Sequence, residues 1–128
     1  MSVGTPTPRP LFWVGSSRDD LLALPREVRQ VFGFALWLAQ NGGRHVDAKV
    51  LRGFGGAGVL EVVASHHGNA FRLIYTVRFA EAVYILHAFQ KKSKAGIKTP
   101  QADREMIRRR LRIAEEHHES RRRAGGES

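Results

Sequence analysis

The sequence predicts an α+β domain: a small, largely antiparallel sheet, N-terminal helices packed on one face of it, and a C-terminal helix. Three observations predict it. Three apolar segments, 59–65 VLEVVAS, 70–78 AFRLIYTVR and 82–89 AVYILHAF, follow one another with links short enough to join neighbouring strands. Before them, Leu21, Leu24, Val28, Val31, Phe32, Ala35 and Leu38 recur at spacings of three or four, which is one helical face. After them, TPQADREMIRRRLRIAEEHH begins with a helix-start signature and continues with helical spacing. Helices before and after a run of strands point to an α+β layer structure with the helices on one face.

The elements follow in chain order. Residues 1–9 are rich in Pro, Thr, Ser and Gly and are expected to be disordered. PLFWVGS, 10–16, reads as a short first strand that stops at Gly15, where Ser16 and Ser17 offer turn and helix-capping chemistry. Pro25 cannot sit inside a helix without losing a hydrogen bond. A short helical turn, a break, and a second helix starting on Pro25 are therefore expected, and NGG at 41–43 ends that helix. RHVDAKVLRG, 44–53, reads as a short helix or turn. HHGN between the first two long strands has hairpin composition. Thr99 is the expected cap of the last helix, Pro100 its first residue, and Asp103 lies in its first turn. The folded domain is expected to span 10–117, with 118–128 a disordered basic tail.

Charge narrows the partners. The chain has 21 Lys and Arg against 12 Asp and Glu, a net of +9. Residues 90–128 alone hold 12 basic and 6 acidic residues. Such a balance attracts phosphates, nucleic acid above all, and says nothing about fold. With no cysteine, disulfides, zinc–thiolate sites and thiol nucleophiles are excluded. The N-terminus lacks the apolar core of a signal peptide, and no apolar run approaches the roughly 18 residues that span a bilayer. A cytoplasmic protein without a membrane partner is expected.

Strand alternation sorts the candidate residues. In 70–78, Phe71, Leu73, Tyr75 and Val77 share one face, suited to a helix-covered core, and Arg72, Ile74, Thr76 and Arg78 share the other. That places Arg72 on an open face in a central strand. It either pairs with Glu61 across the hairpin or aims its planar fork at a phosphate, and the two roles are compatible. Lys91 and Lys92 follow the last strand directly, with Lys94 and Lys98 close behind, and Lys49 and Arg52 precede the sheet. These lysines are either a solvated loop or, beside Arg72, the wall of a polyanion groove. His87 interrupts an apolar strand and reads as a core histidine with satisfied nitrogens. The six histidines show no metal-ligand spacing, so no metal or cofactor is expected. In the last helix Arg110 falls inside the apolar stripe of Met106, Ile107, Leu111, Ile113 and Ala114. It either snorkels to water or reaches the groove.

VLEVVAS…NAFRLIYTVRFAEAVYILHAFQKKSKAGIKTPQADREMIRRRL resembles the RelE/ParE toxin superfamily, in its phage-derived, HigB-like branch. The resemblance runs from about Pro10 to Glu116. It implies a RelE-like fold and the toxin of a type II toxin–antitoxin pair, a ribosome-dependent endoribonuclease held inactive by a helix-turn-helix antitoxin. It puts the phosphate-binding arginine on Arg72 and basic active-site residues on Lys91 and Lys92. Lys49, Arg52, Lys94 and Lys98 then line the path of the RNA, and Glu61 or His87 is the reserve acid or base. The chain departs from the family pattern at Val63, two positions after the strand glutamate, where arginine is frequent; a reduced or altered activity is the implication. The alternative functions are a ParE-like gyrase inhibitor and a non-catalytic nucleic-acid or antitoxin binder.

Overall fold

The computed structural model describes residues 7–56, 58–91 and 99–126. Along the chain run β1 (Leu11–Trp13), α1 (Ser17–Leu22), α2 (Arg26–Gln40), β2 (Lys49–Val50), β3 (Val59–His66), β4 (Asn69–Thr76), β5 (Val83–Lys91) and α3 (Gln101–Gly126). The strands form one sheet in the order β1-β5-β4-β3-β2, antiparallel except for the parallel β1–β5 pair. The expected architecture is therefore present, with a mixed edge supplied by the N-terminal strand.

Local chemistry explains the joints. His67 and Gly68 both have positive φ, 49° and 80°, between the paired residues His66 and Asn69. This two-residue turn twists with the strands, the reason such turns join hairpins. At the end of α2 the Gly43 N–H donates to the Leu38 carbonyl and Gly42 N–H to Ala39, with Gly42 at φ 83°. That left-handed residue ends the helix while satisfying its last carbonyls. Pro25 sits just outside α2, at its N-cap, rather than as its first residue.

Both faces of the sheet are covered, which corrects the expectation of helices on one face. On one side Val28, Phe32, Ala35 and Leu36 of α2 pack with Leu21 of α1 on Leu60, Val62, Leu73, Tyr75 and Ile85. On the other, Ile107, Leu111 and Ala114 of α3 pack on Val59, Ile74, Tyr84 and Leu86, with Leu51 and Phe54 from the loop after β2. Two covered faces explain why β3 and β5 read as nearly continuous apolar runs. The segment 44–53, expected as helix or turn, contributes the edge strand β2, paired to Leu60 and Glu61.

Residues 1–6 and 127–128 of the expected disordered ends lie outside the described residues; the described parts of both ends are ordered. The chain is already tied down at Arg9, whose backbone N–H donates to Gln40 and whose carbonyl accepts from the Gln40 side chain. At the other end, α3 continues to Gly126 where a disordered tail was expected from 118. His117 Nδ1 lies 2.7 Å from the Tyr84 hydroxyl, His118 stacks on Phe79, and the Arg121 guanidinium lies 4.6 Å from the Phe12 ring centroid. Arg122 and Arg123 then pair with Glu119 one turn back, the spacing that supports a helix surface.

Leu86 is an extra residue in β5, since Ile74 pairs with His87 while the adjacent Tyr75 pairs with Ile85. This bulge settles the position of Arg110. Its Nη1 donates to the Leu86 carbonyl at 2.8 Å and its Nη2 to Ser16 Oγ at 3.0 Å. Arg110 thus crosses the apolar stripe to clamp the sheet, and burial lowers its pKa. Arg110→Ala is expected to lower stability by about 1–3 kcal/mol, because a strand carbonyl loses its donor. Urea unfolding measures this, and an unchanged midpoint would mean that water replaces the guanidinium without cost.

Candidate nucleic-acid interface

Beyond the N-terminus of α3, the sheet face carries polar side chains in place of the apolar core. β3 supplies Glu61, β4 supplies Arg72, and β5 supplies His87, Phe89 and Lys91. Register brings them together: Arg72 lies opposite Phe89, Lys91 opposite Ala70, and His87 opposite Ile74. On the other side, Arg72 lies opposite Val63, two residues along β3 from Glu61. Alternation then puts all of these side chains on one face.

Arg72 is buried, 5% exposed, and so is Glu61, 2%. Arg72 Nη1 donates to Glu61 Oε2 at 2.5 Å and lies 3.4 Å from Thr99 Oγ1. Lys49, opposite Glu61 in β2, brings Nζ to 3.9 Å from Glu61 Oε1. Lys91 lies within the field of the same groups. Its pKa is lowered first by desolvation and then by Arg72 and Lys49, with Glu61 opposing. Three cations therefore surround one carboxylate. A buried charge needs a partner, and Glu61 allows Arg72 to sit under the surface while Lys49, 65% exposed in its side chain, meets solvent.

Arg72 was expected on an open face; it is buried, with the buried Thr99 against its guanidinium. Its pairing with Glu61 is present as expected. His87 is buried, but among the described residues only one of its nitrogens is satisfied where both were expected to be: Nε2 is 2.8 Å from Asp103 Oδ1 on α3, and the ring stacks on Phe89 at 4.4 Å. Its Nδ1 has no hydrogen-bond partner among the described residues. Tyr75 points into the α2 core, fully buried, and burial raises its pKa against a smaller opposing pull from Arg44. Arg52 sits apart from Arg72, its carbonyl accepting from Arg104 at 2.7 Å. Lys92, Lys94 and Lys98 lie outside the described residues.

Asp103 and Thr99 are the site residues that sequence reasoning missed. Both are visible as helix-start chemistry, and that local role hides their long-range one: Thr99 also reaches Arg72 and Asp103 also reaches His87. Among the described residues, no three His, Cys, Asp or Glu side chains gather as a metal site, and no helix is long and apolar enough to cross a membrane.

The chain is similar to other proteins in two respects. Residues 19–112 match the family described as phage derived protein Gp49-like. A chain of the RelBE2 toxin–antitoxin complex from Mycobacterium tuberculosis is 21% identical, with a TM-score of 0.45, over 66% of this chain and 99% of that one. That likeness is too loose to bear on the site. No curated protein matches the sequence. The family match runs from α1 through β5 into the first half of α3, and includes Glu61, Arg72, His87, Lys91 and Asp103. On that match the chain belongs to the phage-derived Gp49-like family.

Proposed function

We propose that this protein is the toxin of a type II toxin–antitoxin pair and that it cleaves mRNA on the ribosome. The observation that carries the reading is the cluster of Arg72, Lys91 and Lys49 around the buried Glu61. An RNA strand carries its own nucleophile. Once the 2′-hydroxyl loses its proton, its oxygen attacks the adjacent phosphorus, the bond to the 5′-oxygen breaks, and a 2′,3′-cyclic phosphate remains. The protein must supply cations for the pentacoordinate transition state, a base, and an acid for the leaving oxygen.

Lys49 and Lys91 meet the RNA first, and Arg72 stabilises the phosphorane from beneath. Its contact to Thr99 is long, so a phosphate oxygen is the better acceptor for that N–H. Both Glu61 oxygens face cations, and His87 Nε2 is committed to Asp103. This favours Lys91, whose lowered pKa raises the fraction able to take a proton. The steps call for no cofactor. An antitoxin with a helix-turn-helix domain, presenting acidic or polar residues to this basic surface, would block it, and a net charge of +9 makes that association fast and salt-sensitive.

Induction in cells without an antitoxin is expected to arrest growth and to create new mRNA 5′ ends inside translated frames. Mapping those ends tests the reading. Intact mRNA accompanied by DNA breaks would replace it with gyrase poisoning.

A further inference from the structure

The loop after β2 shows a second concentration of arginines, apart from Arg72. Four consecutive carbonyls, those of Arg52, Gly53, Phe54 and Gly55, each accept from an arginine side chain. Arg104 Nη2 donates to Arg52 O at 2.7 Å, Arg108 Nη2 to Gly53 O at 3.5 Å, and Arg78 Nη2 to Phe54 O and, at 3.5 Å, to Gly55 O. The Arg104 and Arg108 guanidiniums also lie over the buried Phe54 ring, 4.8 and 5.2 Å from its centroid. Gly53 holds φ 96°, and a Cβ there would collide with the Arg104 guanidinium, so the loop's shape and the arginine's position depend on each other.

The charge of this patch is not balanced. Arg78 pairs with Glu115 at 2.8 Å. Arg104 and Arg108 have no carboxylate partner among the described residues, and the exposed Arg52 and Arg112 add to the same sign. Covering Phe54 needs only apolar atoms, which a methionine or leucine would supply without the mutual repulsion. Cations fixed in place without counter-charge are suited to an anion that arrives from outside.

We propose that Arg52, Arg104, Arg108 and Arg112 form a second phosphate-binding surface, for the backbone of single-stranded RNA. Three features favour RNA over an acidic protein. The Arg104 and Arg108 guanidiniums are held by Phe54 and the loop carbonyls, so little side-chain freedom is lost on binding, and each keeps further N–H groups for phosphate. The ring at the centre of the patch is buried, whereas a protein interface presents an apolar centre to its partner. The patch is also linked to the Arg72 cluster along the chain, since Arg52 lies three residues beyond Lys49 and Arg104 directly follows Asp103, the partner of His87. The inference depends on charge and geometry, and it holds whether or not the Arg72 cluster cleaves.

The test is binding of a 2′-O-methyl RNA oligonucleotide, which cannot be cut by its own 2′-oxygen, followed by fluorescence anisotropy over a salt series. For single strands the slope of log affinity against log salt is about 0.7 per phosphate neutralised. Arg112→Gln, an exposed change that breaks no hydrogen bond or ion pair among the described residues, is expected to flatten the slope by about 0.7, and Arg108→Gln with Arg112→Gln by about 1.4. Both variants should keep the wild-type circular dichroism. A folded double variant with unchanged slope and affinity overturns the proposal. So does one that loses affinity for a polyglutamate peptide while binding RNA as before, since the patch then serves an acidic protein.

Discussion

Replacing Arg72 with alanine is expected to abolish mRNA cleavage and to lower stability by about 3–5 kcal/mol, the usual cost of removing one partner from a buried ion pair. Glu61, 2% exposed, would keep Lys49 at 3.9 Å and the weaker field of Lys91 but lose its close partner. Arg72→Lys separates charge from shape. Lysine keeps the cation and should recover part of the stability, but it loses the planar fork that grips a carboxylate on one side and a phosphate on the other. Most of the cleavage rate should stay lost. Urea unfolding and 5′-end mapping on the same proteins decide the matter. An Arg72→Lys variant that cuts at the wild-type rate would reduce Arg72 to a point charge and remove it from the transition state.

Lys91→Gln should do the reverse, leaving the fold intact and stopping the chemistry. Lys91 ends its strand half-buried, and its side chain makes no hydrogen bond among the described residues, so stability should change by less than about 0.5 kcal/mol. Loss of a positioned proton acceptor slows a reaction by about 10²–10⁴. Burial, then Arg72 and Lys49, lower the Lys91 pKa from 10.5. With Lys91 as base, the wild-type rate rises with pH until that lowered pKa is passed and then levels, and Lys91→Gln removes the rise. The linkage has a matching sign. The folded state binds this proton less tightly than the unfolded chain, so charged Lys91 opposes folding below its lowered pKa, and the opposition fades as pH climbs towards 10.5. A Lys91→Gln protein that keeps its rate and pH profile would move the base elsewhere. Lys92→Gln is the companion change, since the two lysines are adjacent in sequence.

How far the structure was legible depended on the range of the forces involved. The central hairpin and its alternation could be read because strand period and turn chemistry are local: Tyr75 was placed in the core and Arg72 beside Glu61 from spacing alone. β2 escaped because two residues at a sheet edge carry no periodic signal. The side taken by α3 escaped because its apolar stripe fits either face of the sheet. Arg72, on the face expected to be open, is buried beside Thr99, just ahead of that helix. The bulge at Leu86 depends on a donor 24 positions away, and the His87–Asp103 pair joins residues whose local roles were already accounted for. The helix beyond 117 was hidden for a similar reason, since its anchors are Tyr84, Phe79 and Phe12.

The reach of α3 also sets an order of events during synthesis. Arg104 and Arg108 bind carbonyls 52 and 55 residues upstream, and Thr99 and Asp103 complete the surroundings of Arg72 and His87. Every strand leaves the ribosome before the helix that finishes them. At roughly 5–20 residues per second, the 26 residues of α3 take about 1–5 s to make. Until α3 has emerged and docked, the sheet lacks both its arginine clamp and the Thr99 and Asp103 contacts to Arg72 and His87. On the function proposed above, cleavage then matures only when that helix docks.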